Sequence, residues 1–277
     1  MGTLGPAAAM AGAATFLVMA GRELLDSQAH SARRAIGKPL GEDAHVADKV
    51  YRSRYGDPID LLLLGDSIAA GLGADRPKRT LGAQLSKRLA DRTNRAVRLR
   101  TAAVVGSETS MLRSQLAGLP AEYVADVAVI VAGGNDVTHR VKVSVSCDHL
   151  AAAVTALHAH GTHVVVGTCP DLGALTPVPQ PLRAMAGFAS RQLAAAQRDV
   201  VVTLGGRAVS LRDVVGPFFI ADPAKMFATD RFHPSGAGYR RTAKAILPSV
   251  LAALGDETEL PFGHHGPAGS PSAAIRR

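Results

Sequence analysis

The 277-residue sequence contains no tryptophan, only four tyrosines and only two cysteines. Two cysteines allow one disulfide at most, so a small scaffold held together by several bridges is excluded. Aromatic residues are scarce and basic residues are dispersed, which argues against a surface that stacks single-stranded nucleic acid, although the net charge is +8. A solvated basic surface, or attraction to anionic lipid, is the better interpretation of that charge.

Internal repeats are also absent from the sequence, and so are metal-ligand spacings. His158, His160 and His163 lie close together, but no cysteine or carboxylate accompanies them at a ligand spacing, and we interpret them as surface histidines. We therefore expect no metal and no other cofactor. Whether Cys147 and Cys169 form a disulfide is left open, because small buried thiols are also common.

The first twenty residues carry no charged side chain, which gives Met1–Ala20 the length of a membrane-spanning or signal-type helix. Many alanines and glycines make the segment only weakly hydrophobic, and it lacks the basic start of an ordinary cleaved signal peptide. We expect residues 1–22 to attach the protein to a membrane or the cell envelope, on a side that the sequence does not decide. The alternatives are an export signal and a helix packed on the domain.

Strand and helix patterns alternate along the rest of the chain. Strands are predicted at 59–64, 97–105, 124–132, 163–167 and 199–204, and helices at 81–92, 107–116, 150–160, 181–198 and 235–254. Such alternation is typical of parallel strands joined by crossover helices. We therefore expect a three-layer α/β/α sandwich with a mainly parallel five-stranded sheet. Residues 23–57 are assigned to a linker, 58–255 to the folded domain and 256–277 to a disordered tail.

Ser67 follows the first predicted strand almost directly. That strand ends at Gly65, and the small residues after Ser67 suit a tightly packed first helical turn. A serine in this place presents its hydroxyl to open space, while its N–H joins the unpaired donors at the positive end of the helix, which favour a developing oxyanion. The alternative is that Asp66 or Ser67 only caps the helix.

Near the other end of the chain, Asp230 and His233 lie three residues apart. A carboxylate bonded to the far ring nitrogen of a histidine holds the tautomer that accepts a proton from serine, and it stabilises the imidazolium that forms. Pro234 then suits the first turn of a helix that begins at Ser235. The alternative is a capping aspartate beside a surface histidine.

Two candidate hydrogen-bond donors lie between these motifs. Gly106 follows the second predicted strand, and its missing Cβ permits close approach to its N–H. Asn135 follows the third predicted strand and can reach over the edge of the sheet. With the Ser67 N–H they would provide three donors to a tetrahedral oxyanion. Taken alone, Gly106 is more typical of a turn, and Asn135 is more typical of a turn or a helix cap.

Four sequence blocks, taken in order, resemble the SGNH, or GDSL-type, hydrolase superfamily. The blocks are Gly65-Asp66-Ser67, Gly106, Gly134-Asn135-Asp136 and Asp230-Arg231-Phe232-His233. The resemblance covers about residues 58–254, and Ile68 replaces the leucine of the GDSL pattern. It implies the flavodoxin-like SGNH fold, no metal, Ser67 as nucleophile and His233 as general base. It further implies Asp230 as the orienting acid, and Ser67, Gly106 and Asn135 as the oxyanion hole.

Two further segments are candidates for the walls of a substrate site. Residues 168–187 follow the fourth predicted strand and form either a substrate wall or an ordinary surface connection. Residues 216–227 contain three of the seven phenylalanines, and we favour packing against the sheet edge over an acyl pocket for this segment.

These observations together predict a serine esterase that forms a covalent acyl-enzyme intermediate. SGNH relatives include carboxylesterases, lipases, thioesterases, lysophospholipases and carbohydrate O-deacetylases, so the resemblance does not choose between a small-molecule and a lipid ester. One alternative is a carbohydrate O-acetylesterase or acyltransferase of the cell envelope. Another is a catalytically inactive scaffold attached to the membrane.

Overall fold

A computed structural model describes residues 6–41 and 43–268 of the chain. The helices are α1 (Pro6–Ile36), α2 (Ser67–Ala70), α3 (Leu81–Thr93), α4 (Leu112–Ala117), α5 (Gly134–Thr138), α6 (Val143–Ala159), α7 (Leu182–Thr203), α8 (Leu211–Val214), α9 (Gly216–Ala221), α10 (Pro223–Met226) and α11 (Gly236–Ala253). The strands are β1 (Val50–Tyr51), β2 (Ile59–Gly65), β3 (Val97–Thr101), β4 (Val127–Val131), β5 (His163–Gly167), β6 (Arg207–Val209) and β7 (His264–His265).

The strands form one sheet in the order β1-β3-β2-β4-β5-β6-β7. The five strands β2 to β6 are parallel to their neighbours, as predicted, and β1 and β7 pair antiparallel at the two edges. The predicted count of five strands is wrong, because the sheet has seven. The extra edge strands lie in segments that we assigned to the linker and the disordered tail. Each is two residues long, too short to produce a periodic pattern in the sequence.

The four consecutive leucines of β2 suit a strand in the interior of the sheet, between β3 and β4. Leu61 and Leu63 pack into the hydrophobic cluster on one face, whereas Leu62 and Leu64 pack into the cluster on the other. Helices α3 and α11 contribute to the first cluster, and α4 and α6 contribute to the second. A strand covered on both faces is apolar at every position, as parallel sheets require. This arrangement is the predicted three-layer sandwich.

The strand predicted at 199–204 is wrong, because residues 199–203 continue α7 and the fifth parallel strand is β6. The valines at 200–202 satisfy a strand pattern, but Leu193, Gln197 and Val201 follow one another at four-residue intervals and are all buried. That spacing places them on one face of a helix. Helix α7 therefore continues to Thr203 and includes Val201 in its buried face.

The other helical predictions differ from the structure mainly at their ends. Helices α3 and α11 match the predicted ranges to within two residues, whereas α6 begins seven residues before the predicted start at 150. The predicted helix at 107–116 opens with a 3₁₀ turn, Thr109–Met111, before α4. Cys147 and Cys169 are both buried free thiols, so the disulfide left open by the sequence is absent.

Helix α1 begins within the predicted membrane-attaching segment and continues into the predicted linker. Residues 1–5 of the predicted membrane-attaching segment lie outside the described residues, and α1 continues through residues 23–36, which we expected to be linker. Within 6–41 and 43–268, none of the helices combines the length and the apolar content that crossing a membrane requires.

The edge strand β7 is held to α11 through a histidine. Ser249 Oγ and His264 Nδ1 lie 2.8 Å apart. Burial, with a smaller contribution from His265, lowers the pKa of His264 to about 4. His264 is therefore neutral at pH 7, and protonating it in the folded state is unfavourable.

We expect the free energy of unfolding to decrease as the pH falls from about 6.5, the ordinary pKa of histidine, to about 4. The reason is that the unfolded chain binds a proton at His264 before the folded chain does. The variant His264→Asn keeps a hydrogen-bond acceptor and removes the titration, so its stability should depend less on pH over this range. Urea denaturation at several pH values measures the effect, with His163→Asn at an exposed position as control. If the free energy of unfolding changed with pH equally in the wild type and in His264→Asn, His264 would not be the group responsible.

Candidate active site

Ser67 lies where β2 passes into α2, at the carboxyl edge of the parallel sheet. Gly65, just before this turn, has a φ of +126°, and a Cβ added there would lie 1.9 Å from the Val131 carbonyl oxygen of β4. Only glycine fits such an approach. The strand can therefore end abruptly beside its neighbour and deliver Ser67 to the first turn of a helix.

Asp66 caps the helix that begins at Ser67. Its Oδ1 accepts a hydrogen bond of 2.9 Å from the Ile68 N–H, so capping, which we held as an alternative for this residue, is correct for Asp66. The carboxyl also accepts from the Gly134 N–H, and burial raises its pKa to about 7 in spite of both bonds. Capping by Asp66 leaves the Ser67 hydroxyl available for other contacts.

The structure brings Ser67, His233 and Asp230 together, although the serine is separated from the other two by more than 160 residues. His233 Nε2 lies 2.9 Å from Ser67 Oγ, and His233 Nδ1 lies 2.6 Å from Asp230 Oδ2. The second oxygen, Asp230 Oδ1, accepts from the backbone N–H groups of Phe232 and His233, both at 3.0 Å. One short turn therefore holds the aspartate and the histidine in a fixed relative position.

The surroundings of Asp230 favour its charged form. Burial raises the pKa of this carboxyl, but the hydrogen bonds from His233 and from the Phe232 N–H outweigh burial, and the pKa lies below its ordinary value. An ionised carboxylate on Nδ1 orients the ring and stabilises an imidazolium. The turn leads into α11, whose N-cap is Ser235, so Pro234 precedes the helix instead of occupying its first turn as predicted.

Gly106 lies on the loop after β3, and Asn135 lies at the start of the short helix after β4. Gly106 has a φ of +82°, and among the described residues no atom comes within 4 Å of a Cβ built there, so its backbone borders open space. Asn135 is in α5, and its Nδ2 donates a 2.9 Å hydrogen bond to the Ser107 carbonyl. An amide nitrogen has two protons, so one remains for a ligand.

Gln115, which no sequence pattern indicated, lies below the site between β2 and the loop that carries Gly106. Its side-chain amide accepts from the Gly65 N–H at 2.9 Å and donates to the Gly65 carbonyl at 2.8 Å and to Ser107 Oγ at 3.1 Å. This buried side chain ties the end of β2 to the loop that carries Gly106. Nothing in the sequence of α4 distinguishes Gln115 from an exposed polar residue of a helix.

Asp136, the residue after Asn135, also forms buried hydrogen bonds to a neighbouring segment. It is buried and accepts hydrogen bonds from the backbone N–H of Thr109, at 3.1 Å, and from the Thr109 hydroxyl. The hydroxyl of Thr109 also lies 3.1 Å from Ser146 Oγ in α6. Asp136 therefore fixes the start of α5, and with it Asn135, against the neighbouring loop.

An apolar pocket opens beside Ser67 and contains about 780 Å³ of space, including its open mouth. Its lining includes Ile68, Pro170, Leu172, Ala174, Leu175, Leu211, Val215, Phe219, Phe227 and Phe232. Part of the segment 168–187 thus forms a wall of the pocket. Phe219 and Phe227 also pack edge to face, with ring centroids 4.8 Å apart, so the segment 216–227 both packs and lines the pocket.

The doubly covered parallel sheet, with a serine, a histidine and an aspartate meeting at its carboxyl edge, defines a hydrolase of the SGNH type. The chain belongs to the GDSL-like lipase/acylhydrolase family, which matches residues 63–241. It is similar to the GDSL-like esterase Rv1075c of Mycobacterium tuberculosis (strain ATCC 25618 / H37Rv), with 36% identity over 269 residues that cover 92% of this chain and 84% of that protein.

Solved structures share the fold. The structure of TesA is 26% identical, with a TM-score of 0.52, covering 70% of this chain and 99% of that one. LAE5, an alpha/beta hydrolase from the metagenome of Lake Arreo, Spain, is 20% identical, with a TM-score of 0.55, covering 73% and 98%. An acetyl xylan esterase from Geobacillus stearothermophilus is 18% identical, with a TM-score of 0.52, covering 74% and 99%. The similarity to LAE5 and to the acetyl xylan esterase is a similarity of fold alone.

Proposed function

We propose that this protein is a serine esterase that cleaves esters of apolar acyl groups through a covalent acyl-enzyme intermediate. The observation that carries the proposal is the position of His233, whose Nε2 lies 2.9 Å from Ser67 Oγ while its Nδ1 lies 2.6 Å from Asp230. A nucleophile, a base and a group that orients the base are then within hydrogen-bond reach, as nucleophilic catalysis requires.

In the acylation step, Ser67 Oγ attacks the ester carbonyl carbon and its proton passes to His233 Nε2. The negative charge that forms on the carbonyl oxygen accepts hydrogen bonds from the backbone N–H groups of Ser67 and Gly106 and from Asn135 Nδ2. The tetrahedral intermediate then collapses. The bond to the alcohol oxygen breaks, and His233 returns its proton to that oxygen.

Deacylation repeats these steps with water as the nucleophile. His233 removes a proton from the water molecule as the water oxygen bonds to the acyl carbon, and it then protonates Ser67 Oγ as the acyl-serine bond breaks. Asp230 remains ionised throughout, because its surroundings hold its pKa below the ordinary value. Its charge stabilises the imidazolium in both steps.

The composition of the pocket beside Ser67 supports an acyl chain as the group it holds. The walls are mainly aliphatic and aromatic side chains, and the polar lining residues include Asp66, Ser67, Asn135 and His233 of the site described above. Burial of an apolar chain in such a pocket is favourable, whereas a sugar would leave its hydroxyl groups without partners there. The lining therefore favours an esterase for acyl chains over a carbohydrate O-acetylesterase.

The variant Ser67→Ala should lose ester hydrolysis and labelling by a fluorophosphonate, because the attacking oxygen is absent. Loss of the nucleophile in such a triad lowers turnover by a factor on the order of 10⁶. Hydrolysis of p-nitrophenyl butyrate and mass spectrometry of the labelled protein measure the two effects. Ser110→Ala, at an exposed position, is the control. Retained turnover, or an adduct on another serine in Ser67→Ala, would contradict the assignment.

Asn135→Ala should lower kcat about a hundredfold or more and leave KM nearly unchanged, because the lost hydrogen bond strengthens only as charge develops on the carbonyl oxygen. Steady-state kinetics on the same ester provide both constants. Thr138→Ala, on the same short helix, is the control for local structural damage. If Asn135 only holds Ser107, the variant will lower the thermal stability and keep its turnover number.

Ala174→Leu should lower kcat/KM for octanoate and longer esters by about tenfold relative to acetate, because the added carbons occupy the space of the acyl chain. Ala174 is buried and lines the pocket. A series of p-nitrophenyl esters from acetate to dodecanoate measures the profile, with Ala152→Leu at an exposed position of α6 as control. Activity of the wild type on acetate alone would instead support the O-acetylesterase alternative.

A further inference from the structure

Helix α1 precedes the residues matched by the family, yet its second half is packed on the hydrolase domain. The partly or fully buried positions from residue 21 onward are Gly21, Leu25, Gln28, Ala29, Ala32 and Ile36. They recur every three or four residues and so form a single stripe along the helix. Ala32, only 6% exposed, belongs to the main hydrophobic cluster of the domain. This half of α1 is thus docked on the domain.

The side chain of Gln28 makes the most specific contact of this stripe. Its Nε2 donates to the Gln180 carbonyl, and its Oε1 accepts a 3.1 Å hydrogen bond from the Leu182 N–H. One amide group therefore holds the backbone on both sides of Pro181. An exposed ion pair between Asp26 and Arg140, 3.7 Å apart, adds a weaker contact from the same helix.

The backbone that Gln28 holds is the end of the connection that forms one wall of the pocket. Residues 168–181 join β5 to α7, and Leu172, Ala174 and Leu175 of this connection line the pocket. The connection contains one 3₁₀ turn, at 172–174, and is otherwise without helix or strand. Its backbone therefore depends on side-chain contacts to keep one conformation.

Apolar packing connects the same elements. Ala32 belongs to one hydrophobic cluster with Leu172, Leu175 and Val178 of the connection, and Leu182 packs against that cluster. A displacement of α1 would therefore break the two hydrogen bonds of Gln28 and remove Ala32 from the cluster to which the wall also belongs. The nucleophile and its partners lie on β2, α2 and the 230–233 turn, and the hydrogen bonds that hold them do not involve α1.

We infer that α1 is a strap that holds the 168–181 wall in place through Gln28 and thereby sets the selectivity of the pocket for acyl chain length. The inference rests on the proposed esterase function. Gln28 acts as a positioning residue, because it contacts the wall and not the reacting atoms. Long acyl chains need the ordered wall along their length, whereas an acetyl group ends close to Ser67.

The test uses the full chain with two variants. Gln28→Ala removes both hydrogen bonds, and Gln28→Glu keeps the size of the side chain but replaces the donor to the Gln180 carbonyl with an acceptor. Ser27→Ala, at the adjacent exposed position of α1, is the control. For each protein, kcat/KM is measured on p-nitrophenyl esters from acetate to dodecanoate, and hydrogen exchange of the backbone amides is measured by mass spectrometry.

Both variants should lower the ratio of kcat/KM for octanoate to kcat/KM for acetate by about fivefold, because each loses about one net hydrogen bond. The value of kcat/KM for acetate should stay within a factor of about two of the wild-type value. Hydrogen exchange should accelerate in peptides from 168–182 and remain unchanged around β2 and α11. Ser27→Ala should match the wild type in both measurements.

Unchanged exchange in 168–182 together with an unchanged ratio would overturn the inference. An equal loss on all esters with faster exchange throughout the domain would also overturn it, because α1 would then support the whole fold. If the wild type hydrolyses none of the esters, the proposed function fails. In that case the exchange data still decide whether Gln28 orders the wall.

Discussion

The close contact between the ends of β2 and β4 is the constraint on which the active site depends. The Asp66 N–H donates a 3.0 Å hydrogen bond to the Val131 carbonyl, and the missing side chain of Gly65 lets the two backbones approach. Gln115 then pairs with the remaining backbone groups of Gly65 from below. The turn into α2 is therefore held from two sides, and the direction of the Ser67 side chain follows from it.

Two buried carboxyl groups lie near this turn, and their surroundings shift their pKa values in opposite directions. Asp66 accepts hydrogen bonds from two backbone N–H groups, but burial dominates and raises its pKa to about 7. Asp230 is also buried, but His233 and the Phe232 N–H donate to it and hold its pKa below the ordinary value. The difference agrees with their positions, since Asp66 caps α2 and also accepts from the first residue of α5, whereas Asp230 faces the ring nitrogen of a histidine.

The apolar pocket and the polar site, by which we mean Ser67, His233, Asp230 and the loop of Gly106, are held in place by different kinds of contact. Ser67, His233 and the loop of Gly106 are held by short hydrogen bonds to the ends of sheet strands and to turns of a few residues. The pocket wall is a long connection between β5 and α7 that has little regular structure of its own. Its conformation depends on packing and on contacts from distant parts of the chain, including Gln28 of α1. The shape of the pocket can therefore change without a change in the hydrogen bonds around Ser67.

The apolar runs of the sequence predict the central parallel sheet, because a strand buried on both faces is apolar along its buried length, as β4 and residues 61–64 of β2 are. The sequence also predicted that Ser67, Gly106 and Asn135 lie at one edge of the sheet, since each follows a predicted strand and the carboxyl ends of parallel strands meet at one edge. Packing in three dimensions alone reveals the edge strands, the end of α7, the role of Gln115 and the docking of α1. Two-residue strands have no periodicity, and a valine or glutamine side chain suits several structures until its neighbours in space are known. Those neighbours come from residues far apart in the chain, and no local pattern in the sequence specifies them.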